Sequence, residues 1–257
     1  MKKFVALRYV TLKDDFVKQA NVFVINSWDD VTRLDLKLCE LLETHKLKGT
    51  FFVVNNWIGK EISSGELQHI SEIHELGAHT LNHVDLTQVA MEVAEKEISE
   101  SKKLLENLVE KPVTSFAYPK GHYTKAHMVM VRNAKYLCAR TTKPFYVKTT
   151  GNPYELNVTI WTHPHRLRDI RGIFRLFTLS PNLVVNPLRI KKWNELGKQI
   201  FDILLESGGV FHVFGHAWQV EEIDGWRKLE DLLAHIAFRK NVTYVTLSEY
   251  ARLCCYS

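Results

Sequence analysis

The sequence predicts an α/β fold, a barrel of parallel strands surrounded by helices, and three observations predict it. Short apolar runs alternate with amphipathic stretches for most of the length, as strand–helix units feeding a parallel sheet do. About seven such units fit into 257 residues, which suits a closed barrel better than an open sheet. No linker rich in Gly, Ser or Pro and no internal repeat divides the chain. Residues 1–257 therefore read as one domain with its patterned core at about 22–247.

Taken in order, Val22 to Ile25 reads as a buried strand ending at Trp28-Asp29-Asp30, and Leu34, Leu38, Leu41 and Leu42 then recur at helical spacing. Thr50 to Val54 is a second strand, rich in aromatic and branched residues. Leu67, Ile70, Ile73 and Leu76 form a helical stripe that Gly77 ends in the position of a C-cap. Met91 to Val109 is a long charged surface helix. Ser115–Tyr118, Tyr136–Ala139, Asn157–Trp161, Val210–Phe214 and Val242–Thr246 are further strands, with helical patterns at 124–134, 194–207 and 226–239 among them.

Composition is that of an ordinary globular protein, 46% apolar and 25% charged. The net charge of +5 does not call for nucleic acid. Arg8 breaks the apolar run after Met1-Lys2-Lys3, well short of the roughly seven to fifteen residues of a secretory signal. No run reaches the ~18 residues of a membrane span. Cys39, Cys138, Cys254 and Cys255 form no Cys-x-x-Cys pair, so reduced thiols in a cytoplasmic protein are expected.

Functional groups in such a barrel gather at the carboxyl ends of the strands. Four elements carry chemistry. His79-Thr80-Leu81-Asn82-His83 sets two imidazoles four positions apart, a spacing that on one helical turn brings both rings to one side, where they can share a metal. Asp29 and Asp30 end the first strand; they suit either a shared cavity or the N-cap of the following helix. Tyr118-Pro119-Lys120-Gly121 is a tight turn directly after a strand, able to present backbone N–H groups to an oxyanion. His212 and His216 lie on one hydrophobic strand, with His216 at its end and His212 further inside.

These four elements, in this order, resemble the polysaccharide deacetylase family, the NodB-type carbohydrate esterases. The resemblance runs from about Val22 to Leu247, and Gly77 to His83, preceded by Gly49 to Val54, is its most specific stretch. It implies a distorted (β/α)7-type barrel. It implies that Asp30, His79 and His83 hold a divalent metal, zinc first, with Co2+, Ni2+ or Fe2+ also suited to the donors. It further implies Asp29 as general base, His216 as acid and the Lys120 N–H as oxyanion donor. The enzyme would then be a metal-dependent carbohydrate N-deacetylase. The family's arginine ahead of the turn is replaced by Ala117, and Arg140, at the end of the next strand, is the candidate to supply that guanidinium to Asp29. Glu221, Glu222 and Asp224 are the candidates for orienting His216.

Tyr118, Trp161 and His163 are the expected substrate-binding residues, since aromatic faces stack on pyranose rings. Between 166 and 192 Arg166, Arg168, Arg171, Arg175, Arg189, Lys191 and Lys192 accompany an amphipathic pattern, which suits an anionic membrane surface or a phosphorylated substrate. A lipid-linked or nucleotide-linked N-acetyl sugar is the expected substrate of such a cytoplasmic, membrane-peripheral enzyme. Two other readings fit the same scaffold: hydrolysis of a non-sugar amide or cyclic imide, and a retired barrel that binds carbohydrate without turnover.

Overall fold

The computed structural model describes residues 22–148, 151–165, 172–173 and 192–256. Its strands are β1 (Val22–Asp29), β2 (Thr50–Val53), β3 (Glu75–Ala78), β4 (Ser115–Ala117), β5 (Cys138–Arg140), β6 (Ile160–Trp161), β7 (Gly209–Gly215) and β8 (Val242–Tyr244). The helices are α1 (Leu34–Thr44), α2 (Ser64–Ile73), α3 (Met91–Val109), α4 (Lys125–Asn133), α5 (Trp193–Ser207), α6 (Ala217–Glu222), α7 (Trp226–Ile236) and α8 (Leu247–Cys254). All paired strands are parallel, in the order β5-β4-β3-β2-β1-β7-β6, with β8 beside the start of β1.

The sheet curls until one run of chain touches both its sides. Leu156 N–H donates to Ala139 of β5 at 2.9 Å, Thr159 N–H donates to His212 of β7 at 2.8 Å, and β6 then pairs with β7. Strand alternation sorts the apolar residues of this barrel into two clusters. Val22, Val24, Phe51, Val53, Phe116 and Ala139 face outward into one large cluster with Leu38, Leu67, Ile98, Leu196 and Leu232 of the helices. Ile25, Phe52, Ala117, Cys138 and Val210 face inward, and α8 closes that inner cluster with Leu247, Tyr250 and Ala251. The α8 backbone is fastened to the strand starts: Leu247 N–H donates to Thr50 Oγ1 at 2.9 Å and Ser248 N–H to Glu75 Oε2 at 3.1 Å. The inner floor is thus apolar, which leaves the carboxyl ends of the strands as the polar face.

The predicted elements return with shifted ends, and one is reassigned. Leu76 and Gly77 are part of β3, not of a helix and its cap. Helix α2 stops at Ile73, and the next residues pair with β2, Gly77 opposite Phe52. A Cβ on Gly77 would stand 2.5 Å from the Phe52 ring, so close packing, not a left-handed cap, explains the glycine. Among the described residues no helix is long and apolar enough to cross a membrane, and the four cysteines form no disulfide.

Candidate active site

Asp29 is the last residue of β1 and points into the barrel with Ile25 and Ser27. Asp30 takes a left-handed φ of 58°, which Asp tolerates better than most residues, and the chain turns so that its carboxylate joins the same cavity. The N-cap alternative does not hold: α1 starts after Arg33 with no side-chain cap, and the Thr32 N–H at its entrance donates to Asp35 Oδ2 at 2.8 Å.

His79 and His83 follow β3 on a loop, not on a helical turn. Thr80 and His83 have φ of 66° and 56°, and this left-handed path, in place of helical periodicity, brings the two rings to a centroid distance of 4.9 Å. The loop is held by a residue the sequence pattern did not single out. Glu97, buried on α3, accepts from Leu81 N–H at 2.9 Å, Asn82 N–H at 3.0 Å and Asn82 Nδ2 at 2.6 Å. The signal was present: Glu97 falls in the core-facing series Ala94, Ile98, Ser101, Leu105, where an acid needs a partner.

His79 Nδ1–H donates to the Ala117 carbonyl at 2.8 Å, which fixes the tautomer and leaves Nε2 as a ligand atom. That Nε2 lies 3.8 Å from Asp30 Oδ1, and His83 Nε2 lies 3.4 Å from the same oxygen. One ligand atom each from Asp30, His79 and His83 falls within a span of 4.8 Å. Burial pulls His79 down to about 4 and lowers His83 as well, so both rings are neutral as a metal requires. Burial, with the charge of Asp29 added, pushes Asp30 up to about 7, and its Oδ1 is buried without a hydrogen-bond partner. An orphaned carboxylate oxygen beside two neutral imidazole nitrogens fits a divalent cation, and two nitrogens with one oxygen is a donor set typical of catalytic zinc.

Arg140 donates from Nη2 to Asp29 Oδ1. Its guanidinium is fully buried and lies over the rings of Phe52 at 5.0 Å and Phe214 at 4.4 Å. Arg140 is the register partner of Ala117 across β4 and β5, so the cation enters one strand away at the same height. Burial would raise Asp29, but Arg140 first, then His79 and His216, reverse this and hold it below the ordinary carboxylate range.

His216, at the end of β7, sets Nε2 3.7 Å from Asp30 Oδ2. Burial lowers its pKa while Asp29 opposes. The acids expected to orient it do not do so: His216 Nδ1 is buried without a hydrogen-bond partner, Glu221 accepts from Trp226 Nε1, and Glu222 and Asp224 are exposed. His212 is a core residue, its Nε2 2.8 Å from Ser27 Oγ and its Nδ1 3.1 Å from Asn157 O. Lys120 has φ 58° within the turn Pro119–Gly121, and its charge is felt at His83.

Tyr118 departs from expectation. Its side chain is fully buried, stacked on Tyr123 at 4.5 Å, and its hydroxyl donates to Tyr154 O at 3.0 Å; core packing consumes it, so it is not a substrate-facing ring. Trp161 donates to Thr142 O at 2.8 Å and stacks on His163 at 5.0 Å and His165 at 5.3 Å. Of the basic segment 166–192, all but Gly172, Ile173 and Lys192 lie outside the described residues.

The family profile described as polysaccharide deacetylase matches residues 18–139. That span carries Asp29, Asp30, His79 and His83 and ends one residue before Arg140. YxkH of Bacillus subtilis (strain 168), which bears the same family's name, is 27% identical over 137 residues, covering 52% of this chain and 46% of its own. A peptidoglycan-N-acetylglucosamine deacetylase of Bacillus cereus is 28% identical over 106 residues, 39% of this chain and 46% of its own. The chain thus spans under half the length of these curated relatives. A probable polysaccharide deacetylase from Pseudomonas aeruginosa PAO1 shares the fold, with a TM-score of 0.68 at 13% identity over 92% of this chain and 91% of that one.

Proposed function

We propose that the chain is a member of the polysaccharide deacetylase family, whose profile matches residues 18–139, and that it is a metal-dependent hydrolase that removes the N-acetyl group from a sugar. What supports the reading is one observation, the meeting of Asp30, His79 and His83 at a single point with the Asp29–Arg140 pair beside it. A divalent ion held there would lower the pKa of water from ~15.7 toward about 7 and polarise the acetamide carbonyl. Zinc is the proposed metal, with Co2+, Ni2+ or Fe2+ acceptable to the same donors.

The protein's own groups then divide the proton work. Asp29 accepts a proton from the attacking water, and Arg140 keeps that carboxylate ionised and aimed; a positioned base of this kind is worth roughly 10²–10⁴-fold. The Lys120 N–H donates to the carbonyl oxygen as it gains charge. The bond from water oxygen to carbonyl carbon forms, the C–N bond breaks, and His216 gives its proton to the departing nitrogen. Acetate and a free amino sugar leave. An imidazolium that burial makes costly at His216 is a strong donor for that final transfer.

The proposed substrate is an N-acetyl sugar carried on a lipid or nucleotide phosphate, which the basic residues between 166 and 192 would meet inside the cell. The test is metal analysis of the purified protein together with acetate release from a panel of N-acetyl sugars, lipid-linked sugars and sugar nucleotides. Bound divalent metal and acetate release are expected. Protein that binds no divalent metal, or that releases acetate from none of them, refutes the reading.

A further inference from the structure

The two loops that carry His83 and Lys120 are fastened to each other outside the reacting groups. Asp85 stands two positions after His83, and His122 two positions after Lys120. His122 Nδ1–H donates to Asp85 Oδ2 at 2.7 Å. The other carboxylate oxygen, Oδ1, accepts from Thr87 N–H at 3.1 Å and from Thr87 Oγ1 at 2.7 Å. Thr87 belongs to the short turn Leu86–Gln88, which Asp85 caps and which the wholly buried Leu86 pins to the core. Asp85 is thus a fixed anchor, and the exposed imidazole of His122 reaches it from the other loop.

Both loops need holding. His83 has φ of 56°, Lys120 of 58° and Gly121 of 71°. Non-glycine residues in this left-handed region are strained, and they persist only where the surroundings over-determine them. The turn Pro119–Gly121 closes on itself through Gly121 N–H to Tyr118 O at 2.9 Å and His122 N–H to Pro119 O at 3.1 Å. On the β5 side Thr142 bounds it, since a Cβ on Gly121 would collide with Thr142 Oγ1. On the β3 side the bond from His122 to Asp85 does so. A hydrogen bond to an ionised acceptor is among the stronger kinds, and its length here is that of a well-formed one.

We propose that Asp85 and His122 are positioning residues, a clip that sets the Lys120 N–H at its distance from the His83 side of the site. The inference rests on the deacetylase reading and adds to it two residues outside the reacting groups. A donor aimed at an oxygen that gains charge only as the reaction proceeds stabilises the transition state more than the bound substrate. Loosening that donor should therefore slow turnover and leave substrate binding alone.

Kinetics use the metal-loaded protein and whichever N-acetyl sugar of the panel above releases acetate fastest. His122→Leu is expected to lower kcat about 10–100-fold, with KM changed by less than about twofold and metal content intact. His122→Asn sets an Nδ2–H where the imidazole Nδ1–H stood and should restore most of kcat. In an Asp85→Ala background the His122→Leu change should cost less than about twofold, because its partner is already gone. Hydrogen exchange read by mass spectrometry follows the clip without substrate. The segment 118–123 should exchange about tenfold faster in His122→Leu and at the wild-type rate in His122→Asn. Full turnover in His122→Leu, a rise in KM at constant kcat, an asparagine variant no better than the leucine one, or unchanged exchange each overturns the proposal. Exchange that responds as expected in a protein releasing no acetate retains the clip and removes the deacetylase reading instead.

Discussion

Asp29 and Arg140 are both buried, and neither is tolerable alone. Two charges withdrawn from water offset that cost only through each other, and removing one partner strands the other, typically at about 3–5 kcal/mol. Here the guanidinium is also gripped by Phe52 and Phe214, so it arrives oriented. Arg140→Met is therefore expected to cut kcat/KM by roughly 10²–10⁴-fold while divalent metal still binds at one equivalent. Steady-state rates with metal analysis on the same sample check both halves, and unchanged turnover would show that Asp29 needs no cation. Asp30→Ala and Asp29→Asn separate the adjacent carboxylates: the first should lose metal, the second should keep metal and lose acetate release. Arg140 is the expected partner of Asp29 from its place at a strand end, and the register with Ala117 gives the physical reason. Residues facing each other across parallel strands occupy one spot in space, yet they stand far apart in the chain, and only the register brings them together.

At the scale of elements, the loop 79–83 depends on α3 more than on its own sequence. Three donors converge on the Glu97 carboxylate. Glu97→Gln replaces one acceptor oxygen by an NH2 that cannot accept from the loop, and it is expected to weaken metal binding about 10–100-fold, as outer-shell substitutions do. Chelator competition on the folded protein measures this, and an unchanged affinity would make Glu97 a purely structural acid. Helix α1 carries a second buried acid. Burial, partly offset by Thr32, pushes Asp35 up to about 8 against a reference of 3.8. A raised carboxyl favours folding fully below the unfolded value and loses that contribution as pH rises through the folded one. Asp35 by itself should thus withdraw stability between about pH 4 and 8, by at most about 1.4 kcal/mol per pH unit, and denaturant titrations at successive pH should show Asp35→Asn gaining on wild type as pH rises through that window. Most helices and strands were legible from periodicity, whereas the grouping of Asp30 with two histidines followed from the family resemblance, because residue type and order along the chain survive in one dimension. What periodicity misread were local backbone choices. Gly77 serves a ring contact where a cap was expected, His79 and His83 meet through left-handed residues, and β3 and α8 are too short to impose a pattern.

For the molecule as a whole, acid should be the vulnerable side of the histidines. Burial lowers His74 to about 4 and His165 and His212 to about 3, all from an ordinary 6.5. A depressed imidazole is neutral in the fold but protonates readily once unfolded, so its contribution is present above about pH 6.5 and drains away as pH falls toward the folded values. The melting temperature should accordingly decline steadily below about pH 6, and a flat profile from 7 to 4 would contradict the neutral state of these rings. The two apolar clusters carry a different consequence. The outer one glues helices to the sheet, whereas the inner one, built from Ile25, Phe52, Ala117, Cys138 and Val210, is the bed on which Asp29 and Arg140 rest. Both clusters therefore carry stability, but only the inner one also supports the polar layer. Shaving a methyl from Leu38 is expected to register as earlier melting alone, while the same loss at Ile25 is expected to cost melting temperature and turnover together, so hardening this protein against heat is safer in the rind than in the pith.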